Sequence, residues 1–332
     1  MRYRKLGQHG PEVSALGFGA MTLVTGVYDE VTEPEAEAAL DAAVDAGVTF
    51  IDTADIYGDG VSERMIGRVL GSRRDEVVLA TKFGGDFQED GRLVTGLGRP
   101  AYVRQALEAS LRRLGTDRVD LYYLHRLDPT TPIEETAGAL GELVAEGKIL
   151  HYGLSEVSAA TLRRAHAVHP VAAVQTEYSL FSRGPEDAIL PACEELGVGF
   201  VAYSPLGRGL LGGTLRGTGD LGPNDWRRGH PRFTEGNIER NVALADALAA
   251  AAEEHGVTPA QLALAWTIHR GTVPIPGTRR PANARANAET ADLAARLDPG
   301  ILRHLGDVLI PRDAVAGAQG TEAYLANIDT SA

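Results

Sequence analysis

Four side chains in the first 125 residues could together move a proton: Asp52, Tyr57, Lys82 and His125. Asp52 and Tyr57 fall in Val48-Thr-Phe-Ile-Asp-Thr-Ala-Asp-Ile-Tyr-Gly58, which reads as a short buried strand followed by its exit turn. Lys82 ends a second apolar run, Val77-Val-Leu-Ala-Thr81, and His125 ends a third, within Tyr122-Tyr-Leu-His-Arg-Leu-Asp128. A free phenol titrates near ~10 and is a poor acid at neutral pH. A nearby ammonium favours the phenolate, so Lys82 is expected to lower the Tyr57 pKa and ease proton donation. Asp52 would keep Lys82 charged and in place, and His125 would orient a substrate oxygen or share the relay. Such a set protonates a carbonyl oxygen while another group attacks the carbon. Composition also singles out Lys82, because the chain has 29 arginines and only three lysines. A lysine ammonium is a compact, tunable point charge that a guanidinium does not replace.

Each of the four also has a purely structural reading. Asp52 at a strand exit could cap the next helix, and Tyr57 before Gly58 could be a turn aromatic. Lys82 could simply pair with Asp52, and His125 could be a satisfied core histidine. Their joint occurrence at three strand ends is what favours the chemical reading.

The elements that would position them alternate short apolar strands with amphipathic helices, the pattern of βα units with parallel strands. Strand candidates are residues 16–19, 48–51, 77–81, 119–124, 149–154, 172–175, 198–203 and 272–275. Thr32-Glu-Pro-Glu35, Thr131-Pro-Ile-Glu134 and Thr258-Pro-Ala-Gln261 read as capping boxes, the last two with proline opening the helix. Gly47 and Gly115 sit where left-handed caps would end helices. Val103, Leu107, Leu111 and Leu114 recur at helical spacing. No composition break divides the chain, so 1–332 is read as one domain, an α/β (β/α)8 TIM barrel. Residues 3–6 and 12–14 look like a β-hairpin capping the barrel bottom, and 207–236 like a long loop after strand seven. Barrel sites lie at the carboxyl ends of the strands, which would bring the four residues into one pocket.

Apolar content of 44% and charged content of 23% are ordinary globular values. A net charge of −13 argues against a nucleic-acid or anionic-membrane partner, while leaving room for a local basic pocket. One cysteine, Cys193, rules out an internal disulfide framework and suits a cytoplasmic protein. No run approaches the ~18 apolar residues of a membrane span, and the N-terminus does not read as a secretory signal. No metal site is expected.

Two segments could hold an anion. Gly207-Arg-Gly-Leu-Leu-Gly212 matches G-x-G-x-x-G, but lies on the seventh unit rather than the first βα turn. Its glycines could still let backbone approach a phosphate. Ile275-Pro-Gly-Thr-Arg-Arg-Pro281 precedes a helix start, where amides and the helix dipole attract phosphate. A solvated basic turn is the alternative there.

In these residues the chain resembles the aldo-keto reductases. The resemblance runs from Gly17-Phe-Gly-Ala-Met21 through Asp52-Thr-Ala-Asp-Ile-Tyr-Gly58, Thr81-Lys82, Tyr123-Leu-His125, Gly153-Leu-Ser155, Gln175, Ala202-Tyr-Ser-Pro-Leu206 and Ile275-Pro-Gly277. It implies a catalytic tetrad of Asp52, Tyr57, Lys82 and His125, with Tyr57 as general acid, and hydride transfer from NADPH to an aldehyde or ketone. It implies further that Ala20, Met21 and Asp52 lie at the cofactor, Tyr203 stacks on the nicotinamide, and Ser155 and Gln175 hold its carboxamide. Ser204, Pro205, Leu206 and Gly209 would follow the pyrophosphate; Gly277, Thr278 and Arg280 the 2′-phosphate; and Asn287 the adenine. Asn283 stands where many relatives carry an arginine, Ala286 replaces a common glutamate, and Glu156 a common asparagine. Arg279 and Arg280 would then supply the cations. A second class stays open, a cofactor-binding regulatory or channel-associated subunit with little turnover, as does a barrel aldolase using Lys82 as a Schiff base. Substrate walls are expected from residues 24–31, 83–98, 127–131 and 207–236, without identifying which small carbonyl compound binds, or the oligomeric state.

Overall fold

The computed structural model describes residues 1–28 and 30–331. An antiparallel hairpin opens the chain, β1 (Tyr3–Lys5) against β2 (Glu12–Ser14). Eight parallel strands follow: β3 (Phe18–Gly19), β4 (Phe50–Asp52), β5 (Val78–Phe83), β6 (Val119–Leu124), β7 (Ile149–Ser155), β8 (Ala173–Glu177), β9 (Gly199–Tyr203) and β10 (Val273–Pro274). Each pairs with the next in sequence order. The Gly17 N–H donates to the Pro274 carbonyl at 2.9 Å and the Gly19 N–H to the Pro276 carbonyl at 3.4 Å, joining the first strand to the last. The sheet thus closes on itself as the expected (β/α)8 barrel, which removes its edges.

Every strand read from an apolar run is present, displaced by at most two residues at either end. One displacement bears on the site. β5 continues past the apolar run because Lys82 and Phe83 pair with Tyr123 and Leu124 of β6, so Lys82 lies within its strand.

Helices α1 (Glu33–Asp45), α2 (Val61–Leu70), α3 (Pro100–Leu114), α4 (Ile133–Ala145), α5 (Ala159–Val168) and α6 (Ile189–Leu196) alternate with the strands. α7 (Asn237–Glu254) is inserted before α8 (Pro259–His269), and α9 (Pro281–Ala294), α10 (Pro299–His304) and α11 (Glu322–Leu325) follow β10. The capping boxes form at Thr32 with Glu35 and at Thr258 with Gln261. The third does not. α4 begins at Ile133 with no side-chain cap, because the Thr131 hydroxyl donates instead to Asp128 Oδ2 at 2.7 Å. Gly47 (φ +86°) and Gly115 (φ +67°) adopt the left-handed conformation expected of them. The α3 stripe of Val103, Leu107, Leu111 and Leu114 is buried against the sheet.

A separate core fills the barrel. Phe50, Ala80, Leu121, Tyr123, Ala173 and Val201 point inward, and Leu6 and Val13 of the hairpin pack on them from below. The Gln8 N–H donates to the Gly197 carbonyl at 2.6 Å, just ahead of β9. The hairpin therefore closes the end of the barrel opposite the strands' carboxyl termini. Residues 207–236 are built from short 3-10 turns at Gly207–Gly212, Thr218–Asp220, Trp226–Gly229 and Pro231–Phe233. Among the described residues no helix is long and apolar enough to cross a membrane.

Candidate active site

A buried cluster of titratable side chains sits at the carboxyl ends of β4 to β6. β4 ends on Asp52, which is 2% exposed, and the turn after it carries Tyr57 into the mouth. From β5 the Lys82 ammonium uses its three donors on three acceptors: Asp52 Oδ1 at 2.5 Å, the Thr53 carbonyl at 2.8 Å and Tyr57 Oη at 3.3 Å. Gln175 Nε2 donates to the other Asp52 oxygen at 2.8 Å. His125 follows β6 directly, its ring edge-on to Tyr57 with centroids 6.0 Å apart. Gly85 makes room for that ring, since a Cβ there would lie 2.5 Å from His125 Nδ1.

Burial and charge set the protonation states. At Lys82 burial works against the ammonium, but Asp52 and Tyr57 outweigh it and hold the pKa above its ordinary value. Burial raises the Asp52 carboxyl against the pull of Lys82. The Tyr57 phenol departs from expectation. Lys82 does pull its pKa down, yet burial raises it by more, so the net direction is upward and the phenol keeps its proton. His125 is driven well below its ordinary range by burial, then by Arg126 and Lys82, and is neutral. A neutral imidazole can serve as donor or acceptor.

A cavity of about 490 Å³ opens above this group. Asp52, Tyr57 and His125 line it, whereas Lys82 lies wholly buried behind Tyr57. Of the residues singled out for a cofactor, Met21, Ser155, Gln175, Tyr203, Ser204, Pro205, Leu206, Gly209, Gly277, Thr278 and Arg280 all line it, as does Arg279. Two stand apart. Ala20 is fully buried in the core, and Asn287 lies on α9 outside the lining, 7% exposed. The backbone is strained beside the cavity: Glu156 (φ +52°), Ser204 (φ +48°) and Arg208 (φ +58°) hold left-handed conformations that non-glycine residues seldom adopt.

Several lining residues had no sequence signal of their own. Tyr28, Phe87, Arg208, Thr214 and Arg227 come from three of the four expected wall segments, and none comes from 127–131. Residue 29 of the first wall lies outside the described residues. Tyr324 arrives from α11, about 200 residues beyond His125, and its hydroxyl bonds that of Tyr203. Arg126 lies between, its guanidinium 5.6 Å from the Tyr324 ring centre. No periodicity or motif marks either residue. Among the described residues no cluster of three or more His, Cys, Asp or Glu could hold a metal ion.

A cavity at the carboxyl ends of a closed parallel barrel, with a phenol and a buried ammonium at its floor, marks an enzyme site of the barrel class. The Aldo/keto reductase family model matches residues 15–299, and the chain belongs to that family. It is thus an oxidoreductase acting on carbonyl or alcohol groups, in a family that uses nicotinamide cofactors. Among solved structures it is similar to the glycerol dehydrogenase AKR11B4 from Gluconobacter oxydans. The two are 29% identical with a TM-score of 0.80, over 92% of this chain and 94% of that one. It is also similar to the thermostable aldo-keto reductase Tm1743 in complex with the inhibitor epalrestat. That pair is 30% identical with a TM-score of 0.74, over 92% of this chain and 99% of that one.

Proposed function

We propose that the chain is one catalytic domain that reduces an aldehyde or ketone with NADPH, with Tyr57 as general acid. The observation that carries this reading is the Lys82 ammonium held between Asp52 (2.5 Å), the Thr53 carbonyl (2.8 Å) and the Tyr57 hydroxyl (3.3 Å). A carbonyl oxygen placed between Tyr57 and His125 receives the phenolic proton. The phenolate left behind is stabilised by the adjacent ammonium, so charge develops where a cation is already positioned. Asp52 and Gln175 keep that cation oriented. When bound, the cofactor supplies the hydride that reaches the carbonyl carbon.

The lining fits such a cofactor. α9 opens at Pro281 with no side-chain cap, so its first amides and dipole face the approach at Thr278, beside Arg279 and Arg280. Thr22 Oγ1, also on the lining, is buried with no protein partner. Ser155 and Gln175 would hold the carboxamide and Tyr203 would stack on the ring, while the two arginines would favour NADPH over NADH. A Schiff-base role for Lys82 is disfavoured, because its ammonium is charged, fully hydrogen-bonded and shielded from the cavity by Tyr57.

Tyr57→Phe tests the reading. Turnover of an NADPH-linked carbonyl panel should fall by about 10²–10⁴-fold while NADPH binding, followed by fluorescence, is kept. Full activity in the variant would sink Tyr57 as the acid. Tight NADPH binding by the wild type with no turnover on any carbonyl would instead support a regulatory subunit.

A further inference from the structure

Of the arginines packed into the wall at the cavity mouth, Arg208, Arg227 and Arg232 are each paired with a carboxylate, and Arg126 is not. Arg208 donates to Glu177 at 2.5 Å, Arg232 lies 3.3 Å from the same carboxylate, and Arg227 holds Asp225 at 2.6 Å. Arg126 is only 7% exposed, yet among the described residues it has no carboxylate oxygen within 4.0 Å. Nor do its hydrogen bonds make up for this. Nη1 donates to the His125 carbonyl at 2.9 Å, but the contacts to Ser155 Oγ (3.4 Å) and Tyr324 Oη (3.5 Å) are long. Its Nε is buried with no partner at all. Glu156 acts on it through space only, and one Glu156 oxygen is already taken by the Glu177 N–H at 2.9 Å. Counting these pairs, the wall at the mouth sets Arg126, Arg208, Arg227 and Arg232 against Glu156, Glu177 and Asp225, four cations to three anions. A buried cation without a counter-ion is costly, and an anion entering from the cavity would relieve that cost.

Arg126 also stands where such an anion would matter for chemistry. It directly follows His125, lines the same cavity, and is separated by one residue's span from the ring that faces Tyr57. We infer that Arg126 anchors a carboxylate of the substrate, so that the enzyme acts on small aldehydes or ketones bearing a carboxylate near the reacting carbonyl. The planar guanidinium can grip both oxygens and so fix orientation as well as affinity. This inference rests on the reading of the site as a carbonyl reductase.

The test compares matched acids and esters with NADPH: 4-carboxybenzaldehyde against methyl 4-formylbenzoate, and 4-oxobutanoate against its methyl ester. In the wild type kcat/KM should favour the acid by about tenfold or more in at least one pair, mostly through KM. Arg126→Gln should bring that ratio close to one, and Arg126→Lys should keep part of it. Thermal unfolding and the NADPH dissociation constant are measured for each variant, and 4-carboxybenzyl alcohol should raise the Tm of the wild type but not of Arg126→Gln. Equal use of acid and ester by the wild type overturns the inference while leaving carbonyl reduction standing, even where the glutamine variant does not fold. So does an acid preference that survives in folded Arg126→Gln, or a loss confined to NADPH affinity. If neither member of any pair is reduced, the underlying functional reading falls instead.

Discussion

Lys82 shows how one buried side chain sets the behaviour of its neighbours. Its charge is held by Asp52, and it in turn works against the burial that raises the Tyr57 pKa. The sequence pointed to the right partners but to the wrong net direction for the phenol, because the depth of burial is set by residues from other strands. In the mechanism proposed above, a phenol that keeps its proton is still competent, since the ammonium would matter most when the phenolate forms. Removing the cation should therefore affect both stability and catalysis. Lys82→Met leaves the Asp52 carboxyl buried beside Gln175 alone, and breaking a buried pair from one side costs about 3–5 kcal/mol. We expect that loss in urea denaturation, together with loss of turnover, and partial recovery of stability in Lys82→Met/Asp52→Leu. A single variant as stable as the wild type would show that the pair does not hold the site together.

Strands and their exits decide where these side chains meet. The strand order, the hairpin below and the three strand ends were legible because short apolar runs bounded by turns have few alternatives in a parallel barrel. What could not be read depends on contacts across long stretches of chain. Thr131 turned to Asp128 instead of capping α4, and Tyr324 reached Tyr203 from 121 residues away. The barrel seam is a further case, since nothing local says that β3 and the segment after β10 touch backbone to backbone. A Cβ at Gly277 would lie 2.5 Å from the Gly19 carbonyl oxygen and 2.8 Å from Thr22 Oγ1. Both neighbours belong to the seam or to the cavity rim. Gly277→Ala should thus force the seam apart, costing about 1–3 kcal/mol and weakening binding of the proposed NADPH cofactor, followed by fluorescence titration. Unchanged Tm and cofactor affinity would mean the seam yields freely, and the close approach has no role in shaping the site.

Across the whole molecule, the C-terminal segment ties the mouth together from three sides. Asn327 accepts from the Leu93 N–H at 3.2 Å, Asp329 from the Ser158 N–H at 2.9 Å, and the Gln319 carbonyl meets His230 Nε2 at 2.8 Å. The last contact should make the stability of this tie depend on pH. His230 Nδ1 accepts the Arg232 N–H at 3.2 Å, so only a neutral ring with its proton on Nε2 serves both partners. Burial, followed by the nearby Arg208, pushes the His230 pKa down to about 4, against the pull of Glu177. In the unfolded chain the ring titrates near 6.5. Between those values the unfolded chain takes up a proton that the fold refuses, so stability falls as pH drops through this window. The contribution is at most about 3 kcal/mol when the window is fully crossed. His230→Asn removes the titrating ring while keeping a short polar side chain at the same place. Its Tm at pH 7 should be lower than that of the wild type, but should decline less steeply from pH 6.5 to 4. Parallel curves for the two proteins would place the acid sensitivity in other groups and leave the His230 contact a pH-independent tie.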